Sequence, residues 1–513
     1  MPPGTPSSSD PQVRRLARAV LMPGFVGTSA PDWLRRAVEG GLGGVCLFAP
    51  NVVDTDGVGD VAALTWHLHG MRPDVLVASD EEGGEVTRLD AARGSSWPTH
   101  GALGHVDDVA ATGAVAAGIG RLCRDRGIDL ALAPDVDVAS DPDNPVIGLR
   151  SFGADPRLVA RHAVAFVAGL QSLGVAACAK HFPGHGDTRT DSHLDLPVVD
   201  LDLETLTRRD LVPFEAVISA GVRAVMTAHI VFPAIDDRPA TLSPEVLAVL
   251  RGDLGFSGLV VSDAVDMAAI ARRVGRGPGA AAALAAGVDL VCIGNPHHPM
   301  PYDDEAAFHE VHGAVLAAVD SGDLRVDRLE EAARRVAELA WWVGENRAAA
   351  LAVDAGPSQA DARRAADHVA RAALVTHDVV HLTRDVHVLD LRDAPSMAAG
   401  PGGSGVLSAL ARARPGLQVH PVGTSREPGR AVGAALASAA DGDVVVVVGS
   451  PHRSPGAARR LAAVLGGRHD ALVVATGLPD DRDRLGEHWV RTWGDTPSAG
   501  QALASLVFPA QTP

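Results

Sequence analysis

Lysine is almost missing from this chain of 513 residues. Lysine and arginine total 45, yet Lys180 is the single lysine. A composition that uses arginine nearly everywhere but retains one lysine suggests a site that needs a compact ammonium rather than a planar guanidinium. The alternative is a chance remnant, but the polar neighbours of Lys180 favour a functional role.

Cysteine is also scarce. The chain has four, Cys46, Cys123, Cys178 and Cys292, and three of them lie in apolar runs typical of strands. No C-x-x-C pair occurs, which disfavours both disulfides and a thiolate metal site. We therefore expect buried, reduced thiols, which suit a reducing compartment.

Excess positive charge and long apolar runs are absent as well. The formal net charge is −18, and an acidic protein does not attract nucleic acid or anionic lipid non-specifically. No apolar run reaches transmembrane length, and the first twenty residues lack a basic segment followed by an apolar one. We expect no nucleic-acid partner, no membrane partner and a cytoplasmic location.

Short apolar runs alternate with amphipathic helical segments through the first two-thirds of the chain. Eight such apolar strands, most followed by a helix, imply parallel pairing buried on both faces. Their number predicts an α/β fold of the (β/α)8 TIM-barrel type. The runs are 19–25, 44–48, 74–79, 130–138, 175–179, 222–228, 259–262 and 288–295.

A second domain is predicted beyond this barrel. The barrel is expected over residues 12–350, and Gly, Pro and Ser cluster in 351–361, which predicts a linker. Further strand runs, again separated by helical segments, predict a smaller α/β/α sandwich over 362–513. These runs are 386–391, 417–422, 443–449 and 471–476.

Polar residues collect where the predicted barrel strands end. Asp80, the Lys180–His181 pair, His229 and Asp263 each follow a different apolar run. The carboxyl ends of barrel strands share one face, and that face holds the active site in such folds. The joint placement of these side chains predicts a functional rim.

The segment KHFPGHGDTRTDSH, residues 180–193, is the densest part of that rim. It is open to three interpretations: a metal site, a solvated polar loop, or a loop for sugar binding and proton transfer. A metal is disfavoured because no H-E-x-x-H spacing occurs and glycines interrupt the loop. In the third interpretation, Asp191 orients His193 and stabilises its cation, so that the imidazole can give and later take a proton.

Asp263 ends the run GLVVSD and is also open to two interpretations. It could cap the following helical segment, because Asp is favoured at helix N-caps. It could instead be a carboxylate nucleophile, kept ionised by a neighbouring cation such as Lys180.

Residues 180–193 resemble, at every fixed position, the K-H-F-P-G-H-G-[DN]-T-x-x-D-S-H motif of glycoside hydrolase family 3, in its β-N-acetylglucosaminidase branch. The segments 80–88, 144–156 and 239–267 resemble other motifs of that family. The resemblance covers about residues 15–340 and is loose over the C-terminal third.

The resemblance implies a retaining exo-β-N-acetylglucosaminidase that acts on a small β-linked carbohydrate, without cofactor or metal, in cell-wall or amino-sugar turnover. Asp263 is then the nucleophile that forms a covalent glycosyl-enzyme, and His193 is the acid/base, oriented by Asp191. The residues implied to hold the hydroxyls of the terminal sugar are Asp80, Arg88, Arg150, Lys180 and His181.

Two alternatives remain open at this point. An Asp–His pair in place of an acid/base carboxylate removes a negative charge from the acceptor side, so phosphate could compete with water. The chain would then be a phosphate-dependent β-N-acetylglucosaminide phosphorylase. The other alternative is a catalytically silent carbohydrate-binding protein, which the presence of both Asp263 and His193 disfavours.

Replacing His193 with alanine tests the assignment of the acid. The variant should lose far more activity on substrates with poor leaving groups than on p-nitrophenyl glycosides, because nitrophenolate departs with little protonation. The measurement is kcat/KM for both substrate types. Equal losses on both would argue against acid catalysis by His193.

Overall fold

The structure is a computed structural model that describes residues 7–54, 57–91, 93–192, 194–294, 302–353, 356–393 and 404–508. Its first part is a barrel of parallel strands, numbered β1 to β8 here, and each overlaps one of the eight predicted runs. They are β1 Leu21–Pro23, β2 Gly44–Leu47, β3 Leu76–Ser79, β4 Leu130–Ala131, β5 Ala176–Phe182, β6 Ala224–Thr227, β7 Leu259–Ser262 and β8 Val291–Ile293.

The strands follow one another around the barrel in chain order. β2 to β7 form one parallel sheet, and β1 pairs with β8. A parallel bridge from Val261 to Leu290 links β7 to the start of β8. Where the chain approaches β2, a Cβ on Gly43 would collide with the Ala19 carbonyl oxygen, so glycine is required there. The predicted (β/α)8 arrangement is confirmed.

Helices surround these strands. None of those in the described ranges is both long and apolar enough to cross a bilayer. Their bounds are Pro11–Ala19, Asp32–Glu39, Ala49–Val52, Val61–Met71, His100–Val106, Val109–Asp125, Pro156–Gln171, Leu203–Arg208, Leu211–Ser219, Pro244–Ala248 with the π-helical turn Val249–Asp253, Ala268–Ala271, Arg276–Ala286, Asp304–Ser321 and Val326–Val353.

The barrel interior is filled by apolar side chains that alternate along each strand. It includes the thiols of Cys46, Cys178 and Cys292 together with Met22 and Met226. All four cysteines of the chain are buried with free thiols, as predicted.

The long helix Val326–Val353 closes the amino-terminal end of the barrel. Its Val336, Leu339 and Val343 pack into the same interior core. At that end Asp129, which precedes β4, forms an ion pair with Arg347 Nη2 at 2.8 Å. The helix is therefore attached by both apolar packing and ion pairs.

Asp289 makes the strongest of these attachments. It is fully buried just before β8 and accepts from Arg251 Nη2 at 2.5 Å, Arg328 Nη2 at 2.5 Å and Arg335 Nη1 at 3.0 Å. The Val260 amide donates to it as well. A buried carboxylate is tolerated only when it is paired in this way, so Asp289 depends on these three arginines.

The second domain contains one sheet of six strands. They are β9 Val375–His377, β10 Val386–Asp390, β11 Gln418–Pro421, β12 Asp443–Val448, β13 Leu472–Ala475 and β14 His488–Arg491. In sheet order they run β9-β14-β13-β12-β10-β11, and all are parallel except β9. Apolar cores lie on both faces, under helices Gly405–Ala413, Pro428–Ser438, Pro455–Gly467 and Pro497–Val507. The predicted α/β/α sandwich is confirmed.

In sequence, helix Gln359–Ala372 follows the barrel and precedes the sheet of the second domain. Its buried residues Ala362, Ala366 and Val369 belong to the outer core of the barrel. It starts inside the segment 351–361, which was predicted as a linker, and the preceding helix ends there at Val353. The exact domain boundaries stay a prediction.

Replacing Asp289 with alanine should destabilise the protein by about 3–5 kcal/mol, because it leaves three half-buried arginines without the buried carboxylate that they share. Chemical denaturation followed by circular dichroism measures this loss. Glu331→Ala is the matched control. Glu331 also binds Arg328 and Arg335, but its side chain is 44% exposed, so the loss should be about 1 kcal/mol or less. Equal losses would contradict the role given to Asp289.

Candidate active site

A polar cavity opens at the carboxyl ends of the barrel strands. Five residues predicted to bind the sugar and the predicted nucleophile all line it, so the fold brings them to one place. The lining residues are Cys46, Phe48, Asp80, Glu82, Val86, Arg88, Leu132, Val146, Arg150, Lys180, His181, His185, Ser192, Met226, Asp263, Ala264, Met267 and Cys292.

Lys180 lies at the centre of the charged part of this wall. It belongs to β5, its side chain is 2% exposed, and its ammonium lies 2.8 Å from Asp80 Oδ1 and 2.7 Å from Glu82 Oε1. Asp80 follows β3, and Glu82 lies two residues further along in the short strand Glu81–Gly83. One buried cation therefore joins the ends of β3 and β5, the two strands on either side of β4.

The pKa values of these groups reflect their mutual attraction. Burial raises the pKa of the Asp80 carboxyl, but Lys180 and Arg88 outweigh it and lower that pKa to about 2. Burial likewise opposes the charged forms of Glu82 and Lys180. The arginine at 150 and Lys180 nevertheless lower the pKa of Glu82, and the two carboxylates raise the pKa of Lys180. The cluster is charged throughout the neutral pH range.

Two arginines complete the cluster. Arg150 donates to both carboxylate oxygens of Glu82, at 3.0 and 2.8 Å. Arg88, held by the hairpin that follows Glu82, donates to Asp80 Oδ2 at 3.1 Å. Each carboxylate thus binds both Lys180 and an arginine, which fixes the positions of all these side chains.

His181 is oriented by Asp137, which is not among the predicted site residues. Its Nδ1–H donates to Asp137 Oδ2 at 2.8 Å, and Nε2 lies 3.4 Å from Arg150 Nη2. Asp135, two residues before Asp137, lies 3.5 Å from Arg150 and is fully buried. Burial, and next the charge of Asp137, raise the pKa of Asp135 well above its ordinary value.

A signal for these aspartates was present in the sequence. Both lie in the run 130–138, which predicts an apolar strand although it contains the pattern D-V-D. In the structure β4 ends at Ala131, so Asp135 and Asp137 follow a strand end like the other rim residues. Glu82 was overlooked in the same way, inside the motif of residues 80–88.

Three of these groups have the donor chemistry of a metal site. Ligand atoms of Asp135, Asp137 and His181 lie within 4.8 Å of one another. The His181 Nδ1–H is already donated to Asp137, and the guanidinium of Arg150 adjoins Asp135. A divalent ion would compete with these contacts. The expectation that the enzyme needs no metal stays a prediction.

The loop after β5 is held against the barrel mouth. A Cβ on Gly186 would collide with the Val138 carbonyl oxygen, so the close approach requires glycine. His185 is buried, with Nδ1 2.9 Å from Thr188 Oγ1 and Nε2 3.2 Å from Ser192 Oγ. Burial, and next the neighbouring His181, lower the pKa of His185 to about 4. Two hydroxyl groups thus hold the His185 ring at the wall of the cavity.

Asp191, one residue of the predicted acid/base pair, lies near the end of this loop. Asp191 is half-buried, and its carbonyl oxygen accepts from the Leu194 amide at 2.9 Å. His193 lies outside the described residues. The roles of Asp191 and His193 therefore stay predictions, although the adjoining Ser192 lines the cavity.

Asp263 follows β7 and reaches the cavity from the opposite side of the barrel. Its Oδ1 accepts from the Ala264 amide at 2.7 Å. The next helix begins at Ala268 with Met267 as its N-cap, so Asp263 does not have the capping role considered above. Beneath it, the buried His229 donates through Nε2 to the Ala264 carbonyl at 3.0 Å, which supports this turn.

Comparison with known proteins places this geometry in a family. Residues 31–339 match the family described as the glycosyl hydrolase family 3 N terminal domain. The solved structure of a glycoside hydrolase family 3 β-N-acetylglucosaminidase from Paenibacillus sp. FPU-7 is similar, with a TM-score of 0.84 and 31% identity, covering 96% of each chain.

Two sequence relatives are also similar to this chain. Beta-hexosaminidase of Thiobacillus denitrificans is 35% identical over 385 residues, which are 73% of this chain and 96% of that protein. Beta-hexosaminidase A of Pseudoalteromonas piscicida is 32% identical over 376 residues, which are 69% of this chain but 61% of that longer protein.

Replacing Lys180 with arginine tests whether the single lysine matters. A guanidinium is larger than the ammonium that lies between Asp80 and Glu82, so it should displace one or two of these contacts. We expect a loss of about 10- to 100-fold in kcat/KM, equivalent to a charged hydrogen bond or two. Steady-state kinetics measure this, with the exposed Arg36→Lys as control. Unchanged kinetics would mean that the lysine is a remnant.

Proposed function

This chain belongs to glycosyl hydrolase family 3 and is a glycoside hydrolase, and we propose that it removes terminal β-linked N-acetylglucosamine by double displacement with net retention. The observation that carries this proposal is the shared cavity of Asp263 and the Asp80–Lys180 cluster. A carboxylate on one side and fixed hydrogen-bonding groups on the other suit a single pyranose ring. The substrate is a small β-N-acetylhexosaminide.

The polar and apolar residues of the cavity wall lie on different sides of the barrel mouth. The charged cluster extends from β3 to β5, whereas Met226, Met267 and Cys292 line the part beside Asp263. Sugar hydroxyls would bind the charged groups. The methyl of the acetamido group would pack on the apolar part, which a hydroxyl at that position would not fill.

In the first step, an oxygen of the Asp263 carboxylate attacks the anomeric carbon while the bond to the leaving oxygen breaks. His193, oriented by Asp191, gives that oxygen a proton. In the second step, water gives a proton to His193 and its oxygen displaces Asp263 from the anomeric carbon. Two inversions at one carbon yield net retention. The protein supplies the fixed charges that position the ring for both steps.

The first experiment is hydrolysis of p-nitrophenyl β-N-acetylglucosaminide and of the matching β-glucoside, each with and without phosphate. Release from the N-acetyl substrate that is indifferent to phosphate supports the hydrolase. Phosphate stimulation with N-acetylglucosamine 1-phosphate as product would support the phosphorylase instead. Binding without turnover would support the silent carbohydrate-binding alternative. The cytoplasmic location and the role in cell-wall turnover stay predictions.

Replacing Asp263 with asparagine should lower kcat on the order of 10⁴-fold or more, because the amide cannot form the glycosyl ester. Thermal unfolding should be nearly unchanged, since the side chain contacts the open cavity. Asp32→Asn, on an outer helix and 73% exposed, is the control and should retain full activity. A near-normal kcat for Asp263→Asn would overturn the assignment.

Chemical rescue with azide gives a second test that Asp263 is the nucleophile. In Asp263→Gly, azide can enter the space of the lost carboxylate and attack the anomeric carbon directly. One inversion replaces two, so the product should be the α-azide of N-acetylglucosamine. Formation of the β-azide would mean that another group on the protein is the nucleophile.

A further inference from the structure

Glu81 lies between two members of the charged cluster along the chain but faces away from the cavity. Successive side chains of a strand point to opposite sides, and the short strand Glu81–Gly83 follows this rule. Asp80 and Glu82 line the cavity, whereas Glu81 is 1% exposed and stands behind them. A carboxylate buried in that position is stable only if other groups of the protein bind it.

The groups that bind Glu81 belong to the returning strand of the same hairpin. Oε1 accepts from the amide of Arg88 at 2.7 Å and from the amide of Leu89 at 2.6 Å. Oε2 accepts from the hydroxyl of Thr87 at 2.8 Å. That strand ends at Thr87, so the carboxylate replaces the backbone acceptors that a longer ladder would supply. It fixes the backbone on both sides of the Arg88 side chain.

Arg88 connects this backbone anchor to the sugar-binding wall. Its side chain donates to Asp80 Oδ2 at 3.1 Å, and Asp80 also binds Lys180. Arg88 lines the cavity and is 6% exposed. A long side chain holds a ligand at a fixed point only when its own backbone is fixed. The position of the guanidinium therefore depends on the acceptor that Glu81 provides.

The surroundings of Glu81 favour a neutral side chain as much as a charged one. The three groups that donate to it are uncharged. The titratable groups that face it are Asp90, which repels its charge, and the thiol of Cys123 on helix Val109–Asp125. Burial in these surroundings raises the pKa of the Glu81 carboxyl to about 7. Hydrogen bonding to the hairpin, rather than charge, is therefore the contribution that Glu81 makes near neutral pH.

We propose that Glu81 is a positioning residue: it fixes the hairpin that presents Arg88 to the hydroxyls of the terminal sugar. The proposal rests on the function proposed above and deepens it, since it names a residue that sets how tightly the same cavity holds that sugar. Glu81 does not touch the ligand and acts through Arg88 alone. Its effect should therefore appear in substrate binding, and only weakly in the chemical step.

Two substitutions separate the reach of this side chain from its charge. Glu81→Gln keeps the reach, because its amide oxygen can accept from both backbone amides and its nitrogen can donate to Thr87. KM for p-nitrophenyl β-N-acetylglucosaminide should stay within about twofold of the parent. Glu81→Asp keeps the charge but is one methylene shorter, so KM should rise about 10-fold while kcat stays within about threefold. An unchanged KM in Glu81→Asp, or an equal rise in Glu81→Gln, would overturn the proposal.

A double-mutant cycle tests whether Glu81 acts through Arg88. In Arg88→Gln, the added change Glu81→Asp should raise KM by less than about twofold, because the group that it positions is already absent. Losses that multiply would contradict the proposal. The matched control is Asp129→Ala, since Asp129 is a buried carboxylate that accepts from the Val77 amide near the start of β3 at 2.7 Å. This variant should lower thermal stability but leave KM unchanged. A rise in KM equal to that in Glu81→Asp would mean that any loss of stability suffices.

Hydrogen exchange separates this proposal from the proposed function, because it needs neither a substrate nor turnover. The amides of Arg88 and Leu89 should exchange at least about 10-fold faster in Glu81→Asp, and at the parental rate in Glu81→Gln. That result supports the positioning role even if no N-acetylglucosaminide is hydrolysed and the proposed function fails. Unchanged exchange in Glu81→Asp would overturn the role, even if hydrolysis is fast.

Discussion

One buried lysine between two carboxylates organises the mouth of this barrel. Burying Lys180, Asp80 or Glu82 alone would cost several kcal/mol, because each would lose its water without a partner. Together they compensate one another, and the arginines at 88 and 150 occupy the remaining carboxylate oxygens. The cluster is possible only if three separate segments of the chain arrive at the same point, so the sugar-binding wall and the barrel depend on each other.

Each end of the barrel carries a cluster of paired charges, but the two clusters have different roles. At the amino-terminal end, Asp289 and Asp129 pair with arginines that belong largely to the closing helix. These charges therefore neutralise one another inside the protein. At the carboxyl end, the cluster around Lys180 faces a cavity. Charges that are pre-positioned by each other but open on one side can bind a ligand without reorganisation. The ion pairs that stabilise the fold and the charges that face a ligand thus lie at opposite ends of the barrel.

Much of the fold could be predicted because its signals are local. Buried parallel strands are short continuous apolar runs, and each of the eight runs contains or overlaps a strand. The second domain could be predicted for the same reason, from its apolar runs that begin at residues 386, 417, 443 and 471. The residues at which the strands end were harder to predict than the strands themselves. The run 130–138 combines the two-residue strand β4 with the following turn, and this hid Asp135 and Asp137 as rim residues.

By itself, the sequence determined the alternation of strands and helices, and therefore which residues stand at strand ends and share one face. Periodicity and the position after a strand are properties of neighbouring residues. Only the tertiary structure decided which of those residues touch: that Glu82 joins Asp80 on Lys180, that Asp137 orients His181, and that Arg453 meets the barrel at Gly148. These contacts join residues far apart in the chain, and their energies depend on burial and distance, which exist only after the barrel and the sandwich have packed together.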